Sequence, residues 1–442
     1  MNRPTCIDLF AGAGGLSHGF SRVGFAPLFA NEHEQQALDT YRANHPRAQT
    51  SAADIETLDP LEIAEAVGLG VGELTVLLGG PPCQGFSTYG QRDPGDPRNR
   101  LPEEYLRFLE ALRPEAFVME NVLGLLSMQG GALIEHIRTR VSEIGYTQEV
   151  FTLDASDYGV PQRRRRAFVI GFRDGAVPSA PRPTHVGEVR GTPQGALFPD
   201  SRPKPLTVRD AISDLVQVPA LAPSRTQEAQ PYGREPDSDY QAAARVGSAG
   251  ITHHSAKRML GIRRLRLALL KPGDYGTQLK QRVRQGGLPE EAIEEILSGE
   301  LLRPVDQCRR EDREKEEALR QALQGGVDDL EDLLQHLDPG GFANKYRRLE
   351  WESPSHTLVA HMARDCSDFV HPELDRFVTV REAARLQSFP DTFRFVGSQF
   401  RQFRQIGNAV PPILASAVAE AVAEGIGVTL PAVGTEETRQ SA

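Results

Sequence analysis

Residues 1–175 alternate short apolar, often β-branched runs with stretches of helical pattern, and this alternation constrains the fold more than any other feature of the chain. The runs read "TCIDLF", "APLFANE", "TVLLGG", "AFVMENV", "EVFTLDA" and "RAFVIGF". Each is short enough for a strand, and the helical stretches between them predict a parallel, doubly wound α/β sheet with helices on both faces.

The pattern stops at residue 176. From Val177 to Pro205 the chain turns to Pro, Gly, Ser and Arg, as a long linker would. Residues 206–345 are less regular and include a charged helical stretch from Pro289 to Leu337, which contains "RREDREKEEALRQAL" and reads as a solvated helix face, with a partner or DNA surface as the alternative. After "IGNAVPP", the segment "ILASAVAEAVAEGI" predicts a helix, and the tail "GTEETRQSA" is expected to be disordered. A length of 442 residues suits two or three domains. The expected division is a catalytic domain of residues 1–175 completed by 395–430, a second, smaller domain over 176–394, and a tail of 431–442.

No apolar run approaches the roughly 18 residues of a membrane span, and the start "MNRPTCIDLF" lacks the pattern of a signal peptide, so a cytoplasmic protein is expected. Cys6, Cys83, Cys308 and Cys366 form no CxxC pair, which points away from zinc and from a disulfide framework. A net charge of −10 looks poor for a nucleic-acid binder, but the basic residues are clustered: Gln162–Arg166, Lys257–Arg266, Lys280–Arg284, Lys345–Arg348 and Arg401–Arg404.

In "DLFAGAGGLSHGF" a strand ends at Phe10, Gly12, Gly14 and Gly15 make a turn, and a helix begins near Leu16. Such a turn brings backbone close to a ligand at the carboxyl edge of a doubly wound sheet. Ser17 stands where a dinucleotide fingerprint needs its third glycine, which disfavours NAD. Glu32, at the end of the second strand, is placed for ribose hydroxyls, and Asp54 is expected at the end of the third, so the pocket suits a nucleoside cofactor.

"GGPPCQGFST" frames Cys83 with prolines and glycines just after the fourth strand, where a thiolate can act as a nucleophile. "VMENV" ends the fifth strand with Glu120, a carboxyl group whose partial desolvation suits proton donation near neutral pH. "QRRRR" then brings four arginines, able to bind an anionic substrate and orient that carboxylate.

These segments resemble the DNA (cytosine-5) methyltransferase family. "DLFAGAGG", "GGPPCQGFS", "ENV", "QRRRR", "REAARLQSFPD" and "RQIGNAVPP" match its motifs, in its order, from Asp8 to Pro412. The resemblance implies a methyltransferase domain with a smaller target-recognition domain. It implies S-adenosyl-L-methionine as methyl donor, with S-adenosylhomocysteine as product, and double-stranded DNA as substrate, in which the target cytosine is flipped out. In that reading Cys83 attacks carbon 6 of cytosine, Glu120 serves ring nitrogen 3, and Arg164 and Arg166 hold Glu120 and the cytosine oxygen. Phe10, Gly12, Gly14, Gly15, Glu32, Asp54, Ile55, Pro82, Leu101, Asn408 and Val410 would line the cofactor, and Ser87 would meet a phosphate beside the target. Arg263, Arg264 and Arg266 are expected to meet phosphate or guanine. No metal is required, and a monomer accompanied by a cognate restriction endonuclease or another defence partner is expected. An RNA-methylating branch and a non-catalytic DNA-binding homologue are the alternatives; the long variable region favours DNA, and the presence of Cys83 and Glu120 favours an enzyme.

Overall fold

A computed structural model of the chain describes residues 3–82, 101–186, 201–256, 259, 261–279, 281, 346–364 and 366–430. The apolar runs become strands β1 (Thr5–Leu9), β2 (Ala26–Asn31), β4 (Val76–Gly79), β5 (Ala116–Asn121), β6 (Thr147–Asp154) and β7 (Arg165–Phe172), joined by a short β3 (Gln49–Ser51). They form one seven-stranded sheet in the order β3-β2-β1-β4-β5-β7-β6. The chain winds outward from β1 to β3, then returns to β4 on the other side. The carboxyl ends of β1 and β4 therefore sit side by side where the winding reverses, the place at which such sheets bind ligands.

The expectation of an all-parallel sheet fails at one strand, because β7 runs antiparallel to both β5 and β6. Only residues 155–164 separate β6 from β7, too few for the dozen or more that a parallel crossover needs. This reversal points the start of β7, with its arginines, at the same edge as the end of β5.

Alternate side chains of the strands serve two cores. Ile7, Leu77, Phe117, Met119 and Val169 pack against helices that include α3 (Pro60–Ala66), α4 (Leu101–Leu112) and Ala132–Ile144. Cys6, Val76, Leu78, Val118, Phe168 and Ile170 face α1 (Gly15–Arg22) and the helix Pro412–Gly425. The helix α2 (Gln35–Asn44) follows β2. A third core joins Val208, Ala211 and Ile212 to Leu349, Leu358, Val380 and Phe389, and continues into Phe403 and Ile406.

One stretch is long and apolar enough to test the expectation about apolar length. Gln399–Gly425 reaches a mean hydropathy of 1.4 in its most apolar window. It is two helices, Gln399–Asn408 and Pro412–Gly425, and 67% of that window is buried inside the fold, as core helices are.

Candidate active site

The turn after β1 is held by unusual backbone and one carboxylate. Phe10 has φ of 57°, Gly12 56° and Gly14 88°, all left-handed. For Phe10 such a conformation costs about 1–3 kcal/mol and persists only where surroundings enforce it. Glu32, just past β2, braces the turn two residues on: its Oε2 accepts from Gly12 N at 3.0 Å and its Oε1 from Glu34 N at 2.8 Å. A methyl group on Gly12 would meet nothing within 4 Å, whereas one on Gly15 would lie 2.3 Å from the Val410 carbonyl oxygen. The turn is thus packed on its Gly15 side and open at Gly12, which fits a cofactor approached by backbone.

Beneath it, Asp8 accepts from Ser17 Oγ at 2.6 Å, and Tyr41 OH donates to Ser17 Oγ at 2.9 Å. Burial pushes the Asp8 carboxyl up to about 7, against the Ser17 bond that lowers it.

The remaining expected cofactor residues are dispersed around this edge. Asp54 lies beyond the end of β3, exposed, with its side chain accepting from Glu56 N at 3.1 Å, so in this structure it caps a short turn of helix. Ile55 is buried, Pro82 half-buried, and Leu101 opens α4 half-buried against the first core. Asn408 is exposed at the end of its helix, and Val410 is buried behind Gly15.

At β4 and β5 the construction differs. Glu120 occupies the end of β5, 9% exposed, and Arg166 Nε lies 3.0 Å from its Oε1. Burial pushes the Glu120 carboxyl above its ordinary range, while Arg166 and then Arg164 pull it back. A methyl group on Gly80 would lie 3.4 Å from Glu120 Oε2, and Asn121 Nδ2 donates to Pro81 O at 2.8 Å. The segment leading to Cys83 therefore leaves β4 pinned beside Glu120. Cys83 and Ser87 themselves lie outside the described residues, as do residues 282–345 with the charged stretch and the tail from 431.

Two arginines depart from expectation. Arg164 is 0% exposed, acts on Glu120 only through its charge, and gives its terminal nitrogens to the main chain, donating to Leu358 O at 2.6 Å and Gly407 O at 3.0 Å. Arg266 is 2% exposed with its guanidinium 5.7 Å from the Tyr346 ring centre, which removes it from a DNA-facing surface; Arg263 and Arg264 are half-buried. Sequence reasoning gave no role to Gln162, Gln387 or Gly407, although each stands inside a quoted motif, and assigned Asn121 no anchoring bond.

The C-5 cytosine-specific DNA methylase family model matches residues 4–424. The type II methyltransferase M.AgeI of Thalassovita gelatinovora is 56% identical over 423 residues, covering 94% of this chain and 98% of that protein. M.DdeI of Desulfomicrobium norvegicum is 34% identical over 430 residues, 94% of this chain and 88% of that one. Among solved structures, a DNA modification methyltransferase encoded within an E. coli prophage aligns with a TM-score of 0.65 at 25% identity, over 96% of this chain and 99% of that one.

Proposed function

This chain belongs to the C-5 cytosine-specific DNA methylase family and is a DNA (cytosine-5) methyltransferase; on that premise we propose how its own residues carry the reaction. The observation that carries the reading is the buried Glu120–Arg166 pair at the carboxyl edge, beside the anchored root of the Cys83 segment.

Carbon 5 of cytosine is a poor nucleophile. The Cys83 thiolate adds to carbon 6 of a cytosine turned out of the duplex, and Glu120 protonates or hydrogen-bonds ring nitrogen 3, so that the electron pair displaced by addition becomes available at carbon 5. Burial raises this carboxyl above its ordinary range, which favours the proton-carrying form that the step needs. Arg166 fixes the orientation of that carboxyl and limits the rise. S-adenosyl-L-methionine, when bound, supplies an electrophilic methyl group and leaves as S-adenosylhomocysteine. Once carbon 5 carries the methyl group, its proton passes to a base, the C–H electron pair restores the ring double bond, and the Cys83 sulfur departs with the electrons of its own bond.

Phe10, Gly12, Gly14, Gly15, Glu32, Asp54, Ile55, Pro82, Leu101, Asn408 and Val410 would hold the cofactor, with Glu32 both bracing Gly12 and offering its remaining lone pairs to ribose hydroxyls. Residues 176–394 would read the flanking DNA, with Ser87, Arg263 and Arg264 at phosphate or base edges. The relatives named type II methyltransferases support a role in restriction-modification; in this reading the enzyme works as a monomer in the cytoplasm and protects DNA from a cognate endonuclease.

Bisulfite sequencing of duplex DNA incubated with the protein and S-adenosylmethionine tests this. Cytosines protected within one sequence context are expected. Unprotected DNA, or protection that survives Glu120→Gln at full rate, would overturn the reading.

A further inference from the structure

Three buried amide and guanidinium side chains join the strand that brings Arg166 to Glu120 with two other parts of the site. Gln162, Arg164 and Gln387 are each 0% exposed. Leu358 is held twice: its N–H donates to Gln162 Oε1 at 2.8 Å, and its carbonyl accepts from Arg164 at 2.6 Å. Main chain strengthens that junction, with Arg163 N donating to Ser355 O at 2.8 Å and Ser355 N to Pro161 O at 3.0 Å.

The same side chains reach the turn around Asn408. Arg164 donates to Gly407 O at 3.0 Å. Gln162 Nε2 donates to Gln387 Oε1, and Gln387 Nε2 donates onward to Ala409 O at 2.6 Å. The two flanks also touch directly, since a methyl group on Gly407 would lie 2.4 Å from the Val359 carbonyl carbon; only glycine allows that approach.

Arg164 is a costly side chain to bury. Its terminal nitrogens meet neutral carbonyls and its Nε has no hydrogen-bond partner among the described residues. A cation buried with no carboxylate in hydrogen bond to it is costly, and the attraction of Glu120 offsets that cost only in part. What the guanidinium offers is a rigid fork that grips two carbonyls from different segments at once. Neither segment can shift alone without leaving a buried polar group unpaired, at about 1–3 kcal/mol each.

We propose that Gln162, Arg164 and Gln387 are positioning residues that couple the Asn408 turn to the Ser355–Leu358 segment, so that cofactor bound on one side tightens DNA held on the other, and DNA tightens cofactor by the same factor. This rests on the reading that places Asn408 at the cofactor and residues 176–394 on the DNA. None of the three need touch either ligand.

The test compares the affinity of the full chain for a duplex carrying its bisulfite-mapped target, by fluorescence anisotropy, without and with saturating S-adenosylhomocysteine. The wild type is expected to bind DNA at least about fivefold more tightly with the cofactor product. In Gln387→Leu and Gln162→Leu the ratio should fall toward one, with calorimetric affinity for S-adenosylhomocysteine alone changing less. Arg164→Lys keeps the charge but reaches one carbonyl, so it should retain part of the ratio. Should the lysine variant fail to fold, Gln387→Leu, which gives up only two hydrogen bonds, decides the matter. A ratio of one in the wild type, or the wild-type ratio in folded variants, overturns the coupling alone. Failure of the wild type to bind S-adenosylhomocysteine at all overturns the cofactor reading with it.

Discussion

The β1–β2 end and the β5–β7 end of the carboxyl edge are built on different physics. At β1–β2 the structure relies on backbone: three left-handed positions at alternate residues, Phe10, Gly12 and Gly14, with Glu32 bracing the turn through the main-chain N–H of Gly12. At β5–β7 it relies on buried charge, with Glu120 and Arg166 facing each other across an antiparallel pair. The first end can be disturbed by a methyl group, the second by a change of charge that hardly alters shape.

The largest effect is expected at the charged end. Glu120→Gln conserves volume but removes the proton source, and turnover should fall about 10²-fold or more with DNA affinity little changed. Because the carboxyl must be protonated to act, wild-type turnover should decline as pH rises through its raised pKa. Removing the chief opposing cation by Arg166→Gln should move that decline to higher pH, and a pH–rate profile checks the direction.

At the backbone end, Glu32→Ala should weaken S-adenosylmethionine binding by roughly 1.5–3 kcal/mol, the worth of a hydrogen bond to a charged group, as read by calorimetry. Two glycine variants then sharpen the contrast within the turn itself. Gly15→Ala forces a methyl group against the Val410 carbonyl and should lower stability by about 1–3 kcal/mol. Gly12→Ala meets open space, so beyond about 1–2 kcal/mol of backbone strain its effect should appear in cofactor affinity. Thermal unfolding and calorimetry on both proteins separate the two losses.

The smallest effect concerns Asp8. Its folded pKa of about 7 lies above that of an unfolded aspartate, so the folded state binds the proton more tightly. Its contribution to stability is complete below the ordinary carboxylate range and is lost as pH rises through about 7. Asp8→Asn should therefore flatten the pH dependence of the melting temperature and raise that temperature at pH 8 relative to the wild type.

The sequence was most legible where side-chain period and turn chemistry speak locally. Six strands, the glycine turn, Glu32 after β2 and Glu120 at the end of β5 all follow from short windows. Strand direction does not, because alternation looks the same either way; only the brevity of residues 155–164 carried the hint that β7 reverses. Arg164 and Arg266 misled because a basic cluster reads as solvated or ligand-facing, and nothing in "QRRRR" distinguishes the arginine that meets Glu120 from the one that meets Leu358 and Gly407. The close approach of Gly407 to Val359 joins segments distant in the chain, so no local pattern could show it.

The account stands most directly on Cys83 as the residue that bonds to cytosine, and duplex DNA carrying 5-fluorocytosine at the target measures this, since fluorine cannot leave carbon 5 as the proton does. With S-adenosylmethionine present, the wild type should form a denaturant-resistant adduct whose DNA-linked peptide contains Cys83, and Cys83→Ser should form none while still binding S-adenosylmethionine. Equal adduct in Cys83→Ser, or linkage at another residue, would contradict it.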